Sequence, residues 1–259
     1  MNQSLKLESS IKLLDGIMMP LFGLGVWASK PGKETYEAVL HALNFGYRHI
    51  DTAQMYGNEK DVGEGLNDSK LDREEVFITS KVWETDHGYE ATIRAFECTL
   101  KKMKLEYLDL YLIHWPGTNQ RIETWKALEQ IKKRGLCKSI GVSNYAPHHL
   151  NEILEQCDEK PVVNQIELSP FLQQRNITSF CQKEKIHLTG YCPLARGKKF
   201  NDPNLLKIAQ KKNKSSAQIM IRWALERRQT VIPKSVNQKR IEENANVFDF
   251  SLNANEMGM

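Results

Sequence analysis

The sequence predicts an α/β protein, a (β/α)8 barrel of the TIM type with an N-terminal β-hairpin closing its floor. Three observations carry that prediction. Eight short runs rich in apolar and β-branched residues alternate with amphipathic helical stretches, a pattern that calls for a parallel sheet. The 259 residues contain no low-complexity linker, so residues 1–259 are expected to form a single barrel domain. Polar and titratable residues also gather just past the strand-like runs, at the end where such barrels carry their chemistry. A doubly wound sheet is the competitor and would want G-x-G-x-x-G after its first strand. Gly23-Leu24-Gly25 is followed instead by Val26-Trp27-Ala28, and Gly63-Glu64-Gly65 falls inside a helical stretch.

The elements read in order as follows. Ile11-Lys12-Leu13, the turn Asp15-Gly16 and Ile17-Met18-Met19 make the hairpin. The first barrel strand spans residues 21–25. A helical stretch with Tyr36, Val39, Leu40 and Leu43 on one face runs into Gly46, and strand 47–50 delivers Asp51 at its end. Further strands are expected at residues 76–81, 108–114, 139–142, 162–166, 186–191 and 230–232. Between them lie helices such as 89–103, with Ile93, Phe96, Leu100 and Met103 on one face, and 122–133. A last helix begins near Gln238.

Composition excludes several classes. The chain is 41% hydrophobic and 26% charged with a net charge of +4, as ordinary globular proteins are. No apolar run approaches the roughly 18 residues of a membrane span, and the first ten residues lack the layout of a signal peptide. Cys98, Cys137, Cys157, Cys181 and Cys192 show no C-x-x-C spacing, so a reduced cytoplasmic protein without a zinc site is expected. The basic clusters at 101–104, 132–134 and 211–214 sit at predicted helix ends, where cations complement the helix dipole. They read as solvated surface rather than a nucleic-acid face. A metal-dependent barrel hydrolase would want ligands on the first strand, and Leu21-Phe22-Gly23-Leu24-Gly25 offers none.

Asp51, Tyr56, Lys81 and His114 form the constellation that carries chemistry. A free phenol is a poor acid at neutral pH. An ammonium close by would favour its ionisation, and Asp51 would keep that ammonium charged in a dry barrel mouth. A neutral histidine can hydrogen-bond and orient a carbonyl oxygen. Together they make an acid able to protonate an oxyanion as a hydride arrives at carbon. Beyond the last strand, Lys234 and Arg240 bring cations, Ser235 a hydroxyl, and the helix near Gln238 its N-terminus, which suits a phosphate. Trp27, Trp83 and Trp115 each lie just past a strand and beside these groups, as an aromatic substrate wall would.

Three separated stretches carry a family resemblance. They are Gly46-Tyr47-Arg48-His49-Ile50-Asp51-Thr52-Ala53 with Glu59 and Val62-Gly63, then Lys138-Ser139-Ile140-Gly141-Val142-Ser143-Asn144-Tyr145, then Ile232-Pro233-Lys234-Ser235 with Arg240 and Glu243-Asn244. In this order they resemble the aldo-keto reductases along nearly the whole chain. Lys81-Val82-Trp83 and residues 86–90 are similar to the branch of bacterial and protist diketogluconate reductases and prostaglandin F synthases. The resemblance implies NADPH-dependent reduction of aldehydes and some ketones, with Asp51, Tyr56, Lys81 and His114 as catalytic tetrad and Tyr56 as proton donor. It implies that Lys234, Ser235 and Arg240 hold the 2′-phosphate of NADPH and that Glu243 and Asn244 contact the adenine. Ser143, Asn144 and Gln165 would bind the nicotinamide carboxamide, and Tyr191 would stack on the ring. Cys192 stands where the family often has serine. The expected partner is a small carbonyl compound, the expected state a monomer, with no nucleic acid and no membrane. The alternative is a catalytically silent, NADP-binding regulatory or structural member of the same fold. Loops 86–89 and 118–120 are expected to tune substrate choice. The sequence stops at Asn255-Glu256-Met257-Gly258-Met259, where the family often continues into a tail over the substrate, so an open pocket of loose selectivity is expected.

Overall fold

The computed structural model describes residues 5–117 and 119–258. The hairpin strands β1 (Ser10–Lys12) and β2 (Met18–Pro20) pair antiparallel, with Lys12 opposite Met18. Eight parallel strands follow: β3 (Leu24–Gly25), β4 (His49–Asp51), β5 (Phe77–Val82), β6 (Leu108–Ile113), β7 (Cys137–Ser143), β8 (Val163–Glu167), β9 (His187–Tyr191) and β10 (Thr230–Val231). Each pairs with its sequence neighbour. The ends also meet, since Phe22 and Gly25 bridge Val231 and Lys234 and so join the first strand to the last. The expected closed barrel is present.

The helices are α1 (Lys33–Phe45), α2 (Glu59–Asp68), α3 (Tyr89–Met103), α4 (Arg121–Lys133), α5 (Pro147–Gln156), α6 (Arg175–Lys183), α7 (Pro203–Lys212), α8 (Ser216–Glu226), α9 (Gln238–Ala245) and α10 (Ala254–Met257). Strict alternation would put one helix between β9 and β10, where the structure has α7 and α8. Local chemistry divides them. Asp202 caps α7 by accepting from the backbone of Asn204 and Leu205, Pro203 opens that helix, and Ser215 with Gln218 forms a capping box for α8. The basic clusters fall at helix ends as expected, with Lys101 and Lys102 in the last turn of α3 and Lys132 and Lys133 in that of α4.

One apolar layer lies between the sheet and the helices, with Phe22, Tyr47, Phe96, Tyr111, Trp125 and Trp223 among its buried residues. A second cluster of Leu13, Met19, Phe77, Leu110, Leu112, Val162 and Val163 joins the hairpin to the first residues of β5 and β8 and to β6. It places the hairpin as the floor. The first strand, Leu24–Gly25, is shorter than its predicted five residues, and Gly23 stands just before it. A Cβ there would meet the His49 ring at 2.8 Å, so the backbone passes too close to β4 for a regular side chain.

Candidate active site

Strand register assembles the centre. Asp51, the last residue of β4, pairs with Thr79 of β5, and Lys81 lies two residues further along the same face. Lys81 is 0% exposed, and its Nζ donates to Asp51 Oδ1 at 2.5 Å and to the Thr52 carbonyl at 2.8 Å. Gln165 Nε2 donates to the other Asp51 oxygen at 2.7 Å. Two charges can be held in a dry interior only when paired and hydrogen-bonded in this way. Burial pushes the Asp51 carboxyl up and the Lys81 ammonium down, while their mutual attraction opposes both shifts.

Tyr56 ends the 3₁₀ turn Gln54–Tyr56 that follows β4. Lys81 Nζ lies 5.2 Å from the centroid of its ring, and the His114 ring meets it edge-on at 5.6 Å. The expectation of an acidified phenol does not hold. Burial, followed by the negative charge of Asp51, raises the Tyr56 hydroxyl well above its ordinary value. Lys81 is paired with Asp51 as expected, but the phenol then faces an ion pair whose carboxylate opposes its ionisation, and desolvation dominates. Tyr56 therefore rests as a neutral phenol.

His114 directly follows β6. Burial, then the charge of Lys81, lowers it to about 3, so it is neutral at ordinary pH. Its Nδ1 is buried with no hydrogen-bond partner. The Trp83 ring packs edge-on against it at 5.2 Å.

A second network borders the ion pair. Asn144 adopts a left-handed backbone conformation (φ 64°), which asparagine tolerates better than most residues. Its Nδ2 donates to the His114 carbonyl and to Ser143 Oγ, each at 3.0 Å, and its Oδ1 accepts from the Tyr191 hydroxyl at 2.8 Å. Ser143 Oγ donates to the Gln165 carbonyl at 2.8 Å. Ser143, Asn144, Gln165 and Tyr191 thus come together beside Asp51. The Tyr191 hydroxyl is pushed up to about 12, first by burial and then by Glu167.

Past β10, Ser235 Oγ accepts from the Asn237 backbone at 3.1 Å, and the Asn237 side chain caps α9 through Arg240 N at 3.1 Å. Lys234 and Arg240 are exposed, and neither side chain has an ion-pair or hydrogen-bond partner among the described residues. Two unpaired cations and a serine around a helix start fit the phosphate of a nucleotide. Asn244 is buried in the same helix and Glu243 is exposed.

The three tryptophans differ. Trp83 is half-buried against His114, whereas Trp27 and Trp115 are 43% and 42% exposed. Arg196 lies over the Trp27 ring at 5.4 Å. Loop 86–89 is anchored, since Asp86 accepts from Gln54 Nε2 and the Gly88 amide donates to Thr124 Oγ1 at 2.8 Å. Of loop 118–120, Thr118 lies outside the described residues. Gln54 escaped the sequence reading, although it also takes the Trp83 amide at 3.0 Å and so ties the Tyr56 turn to the aromatic wall. Its place two residues before Tyr56 was the available signal. A surface groove of about 1060 Å³ lies apart from all these groups, lined by Tyr36, Asp68, Met103 and Tyr107. Among the described residues no cluster of histidine, cysteine or carboxylate ligands could hold a metal ion. No helix among them is long and apolar enough to cross a membrane.

Comparison with known proteins agrees with this geometry. Residues 21–259 match the model of the aldo/keto reductase family, and the chain belongs to that family. It is therefore an oxidoreductase of carbonyl groups, and its cofactor is NADP(H). It is 48% identical to a 9,11-endoperoxide prostaglandin H2 reductase of Trypanosoma cruzi over 95% of this chain and 88% of that one. It is 47% identical to a glyoxal reductase of Bacillus subtilis, covering 97% and 91% of the two chains. Among solved structures, an aldo/keto reductase from Brucella melitensis superposes with a TM-score of 0.93 at 45% identity over 96% of both chains. A Bombyx mori aldo-keto reductase in complex with NADP superposes at 0.91 with 34% identity over 98% of this chain and 92% of that one.

Proposed function

We propose that the protein reduces small aldehydes, 2-oxoaldehydes among them, and some ketones with NADPH, and that Tyr56 gives the proton. The observation that carries this reading is the convergence of a buried Asp51–Lys81 pair with Tyr56 and His114 at one end of the barrel. Lys234, Ser235 and Arg240 would hold the 2′-phosphate, Glu243 and Asn244 the adenine, and Ser143, Asn144, Gln165 and Tyr191 the nicotinamide. Bound NADPH supplies the hydride.

His114 positions the carbonyl. With the proton on Nε2 the neutral ring would donate Nε2–H to the substrate oxygen and leave the lone pair on the buried, unpartnered Nδ1. As negative charge grows on that oxygen, the Tyr56 hydroxyl transfers its proton. The raised resting affinity of Tyr56 for its proton does not prevent this, because an alkoxide is a far stronger base than a phenolate. Lys81 beside the ring stabilises the phenolate that remains, and Asp51 with Gln165 keeps Lys81 in place. Trp27, Trp83 and Trp115 would wall the substrate. The glyoxal reductase of Bacillus subtilis and the methylglyoxal reductase of Escherichia coli, 47% and 44% identical, support small dicarbonyls as substrates. We read the chain as one barrel acting as a monomer.

The test is NADPH oxidation with methylglyoxal and 4-nitrobenzaldehyde. Turnover with the wild type, together with a loss of about 10³-fold in Tyr56→Phe at unchanged NADPH affinity, is the expected result. A variant that kept most of its turnover would remove Tyr56 as donor. Absence of any NADPH oxidation by the wild type would favour the silent, NADP-binding reading.

A further inference from the structure

The first family-like stretch contains a residue that the chemistry above leaves unused. Glu59 opens α2, three residues after Tyr56, and is 1% exposed. A buried carboxylate needs strong partners to remain in place. Glu59 Oε1 accepts from Ser80 Oγ at 2.7 Å and from Thr99 Oγ1 at 2.9 Å. Its Oε2 has no hydrogen bond and faces the half-exposed Lys102 ammonium at 3.5 Å.

Ser80 immediately precedes Lys81 on β5, and successive strand residues point to opposite faces. Lys81 turns inward and takes the Thr52 carbonyl at 2.8 Å, while Ser80 turns outward to Glu59. Residues 52–59, which carry Tyr56, are thus fastened at both ends to two adjacent residues of one strand. The Thr52 hydroxyl closes the base of this loop by donating to Asn58 Oδ1 at 2.8 Å. With both ends fixed to β5, the position of the Tyr56 ring relative to the Lys81 ammonium is set by the strand.

We propose that Glu59 is a positioning residue. By bonding Ser80 it anchors the far end of the Tyr56 loop to the strand that carries Lys81, and so holds the phenol at the distance from the ammonium that proton transfer requires. The proposal rests on the reading of Tyr56 as proton donor, and a displacement of about 1 Å at a reacting group can cost on the order of 10²-fold in rate. Glutamine at this position keeps an oxygen for both hydroxyls, and the half-exposed Lys102 can swing to water. Alanine keeps neither bond.

The experiment compares wild type, Glu59→Ala, Glu59→Gln and Ser80→Ala. Hydrogen–deuterium exchange of the peptide spanning residues 52–59 reads the anchor without reference to activity. Steady-state reduction of 4-nitrobenzaldehyde and NADPH affinity by fluorescence titration read its consequence. Exchange in that peptide is expected to rise in Glu59→Ala and stay near wild type in Glu59→Gln. In Glu59→Ala kcat should fall at least tenfold, with a larger solvent deuterium isotope effect and an NADPH Kd within twofold. In Glu59→Gln kcat should stay within threefold, and Ser80→Ala should fall between the two. Unchanged exchange in Glu59→Ala overturns the anchor, and so does equal loss in Glu59→Ala and Glu59→Gln. Should Glu59→Ala not fold, wild-type exchange and kcat in Ser80→Ala overturn it. A wild type without turnover sinks the reductase reading, while the exchange result still decides whether Glu59 holds the loop.

Discussion

Asp51 and Asp109, both buried and both paired with cations, serve different ends. Asp51, at the C-terminal end of β4, pairs with a wholly buried lysine and takes an amide from Gln165. Asp109, near the N-terminal end of β6, accepts from Arg73 at 2.8 Å and from the Ile78 amide at 2.9 Å, and pairs with Lys138 at 3.0 Å. Both of its cations also lie over the Tyr107 ring, at 4.1 and 4.3 Å, and both are partly exposed. The floor group joins a carboxylate, two cations, a backbone amide and an aromatic face, and although Arg73 Nε is left without a partner, guanidinium and ammonium there keep their protons. At the mouth a phenol and a neutral imidazole stand beside the pair, and the imidazole has an unpartnered nitrogen. A buried ion pair by itself marks neither stability nor catalysis. The kind of group beside it separates the two roles: a phenol and a neutral imidazole can exchange protons, a guanidinium cannot.

Breaking each pair tests that contrast. Lys81→Met should cut turnover by about 10³-fold, the scale of lost acid–base assistance, and destabilise the fold by about 3–5 kcal/mol because Asp51 stays buried and unpaired. Steady-state kinetics beside denaturant unfolding would measure both effects. Asp109→Asn should cost about 1–3 kcal/mol of stability and leave kcat within twofold. If Asp109→Asn lost activity in the native, fully folded protein, the division between mouth and floor would collapse.

A smaller effect sharpens the same contrast at the outer mouth, where cations are exposed and free. Lys234→Ala and Arg240→Ala should each weaken NADPH by about tenfold, or about 1.4 kcal/mol, and NADH much less. Equal losses for both nucleotides, measured by titration, would remove these residues from the 2′-phosphate.

A last effect concerns pH and touches stability rather than the contrast in turnover. His49 and His114 are lowered to about 3 and His187 to about 4, all chiefly by burial. Their folded values lie below the unfolded one near 6.5, so the unfolded chain binds more protons between these limits. Stability should be full above about pH 6.5 and fall as pH drops toward 4, by about 1.4 kcal/mol per unit for each histidine. Unfolding titrations from pH 7 to 4.5 would show the slope, and His187→Asn should reduce it while sparing turnover. A flat profile would mean that these rings are protonated in the native state.

Much of this architecture was legible in the chain. Helix 89–103 and the helix starting at Gln238 stand at their predicted bounds, because periodicity and helix-stop signals are local. Strand ends moved by one to three residues, as at residues 47–50, which became His49–Asp51. The motif stretches pointed to Asp51, Tyr56, Lys81 and His114, and the structure gathers them. Gln54 and the anchoring bonds of Glu59 were not legible, since their partners lie 21 to 40 positions away in sequence.

The sequence by itself determined the alternation of strands and helices, the family and the residues worth watching, because each depends on neighbours along the chain. Only the tertiary structure decided the protonation of Tyr56. From the chain alone the Lys81–Asp51 couple was expected to acidify the phenol, because the extent of burial is invisible along a sequence. Folding formed the expected pair and also withdrew water from all three groups, and that desolvation outweighs the pair at the hydroxyl.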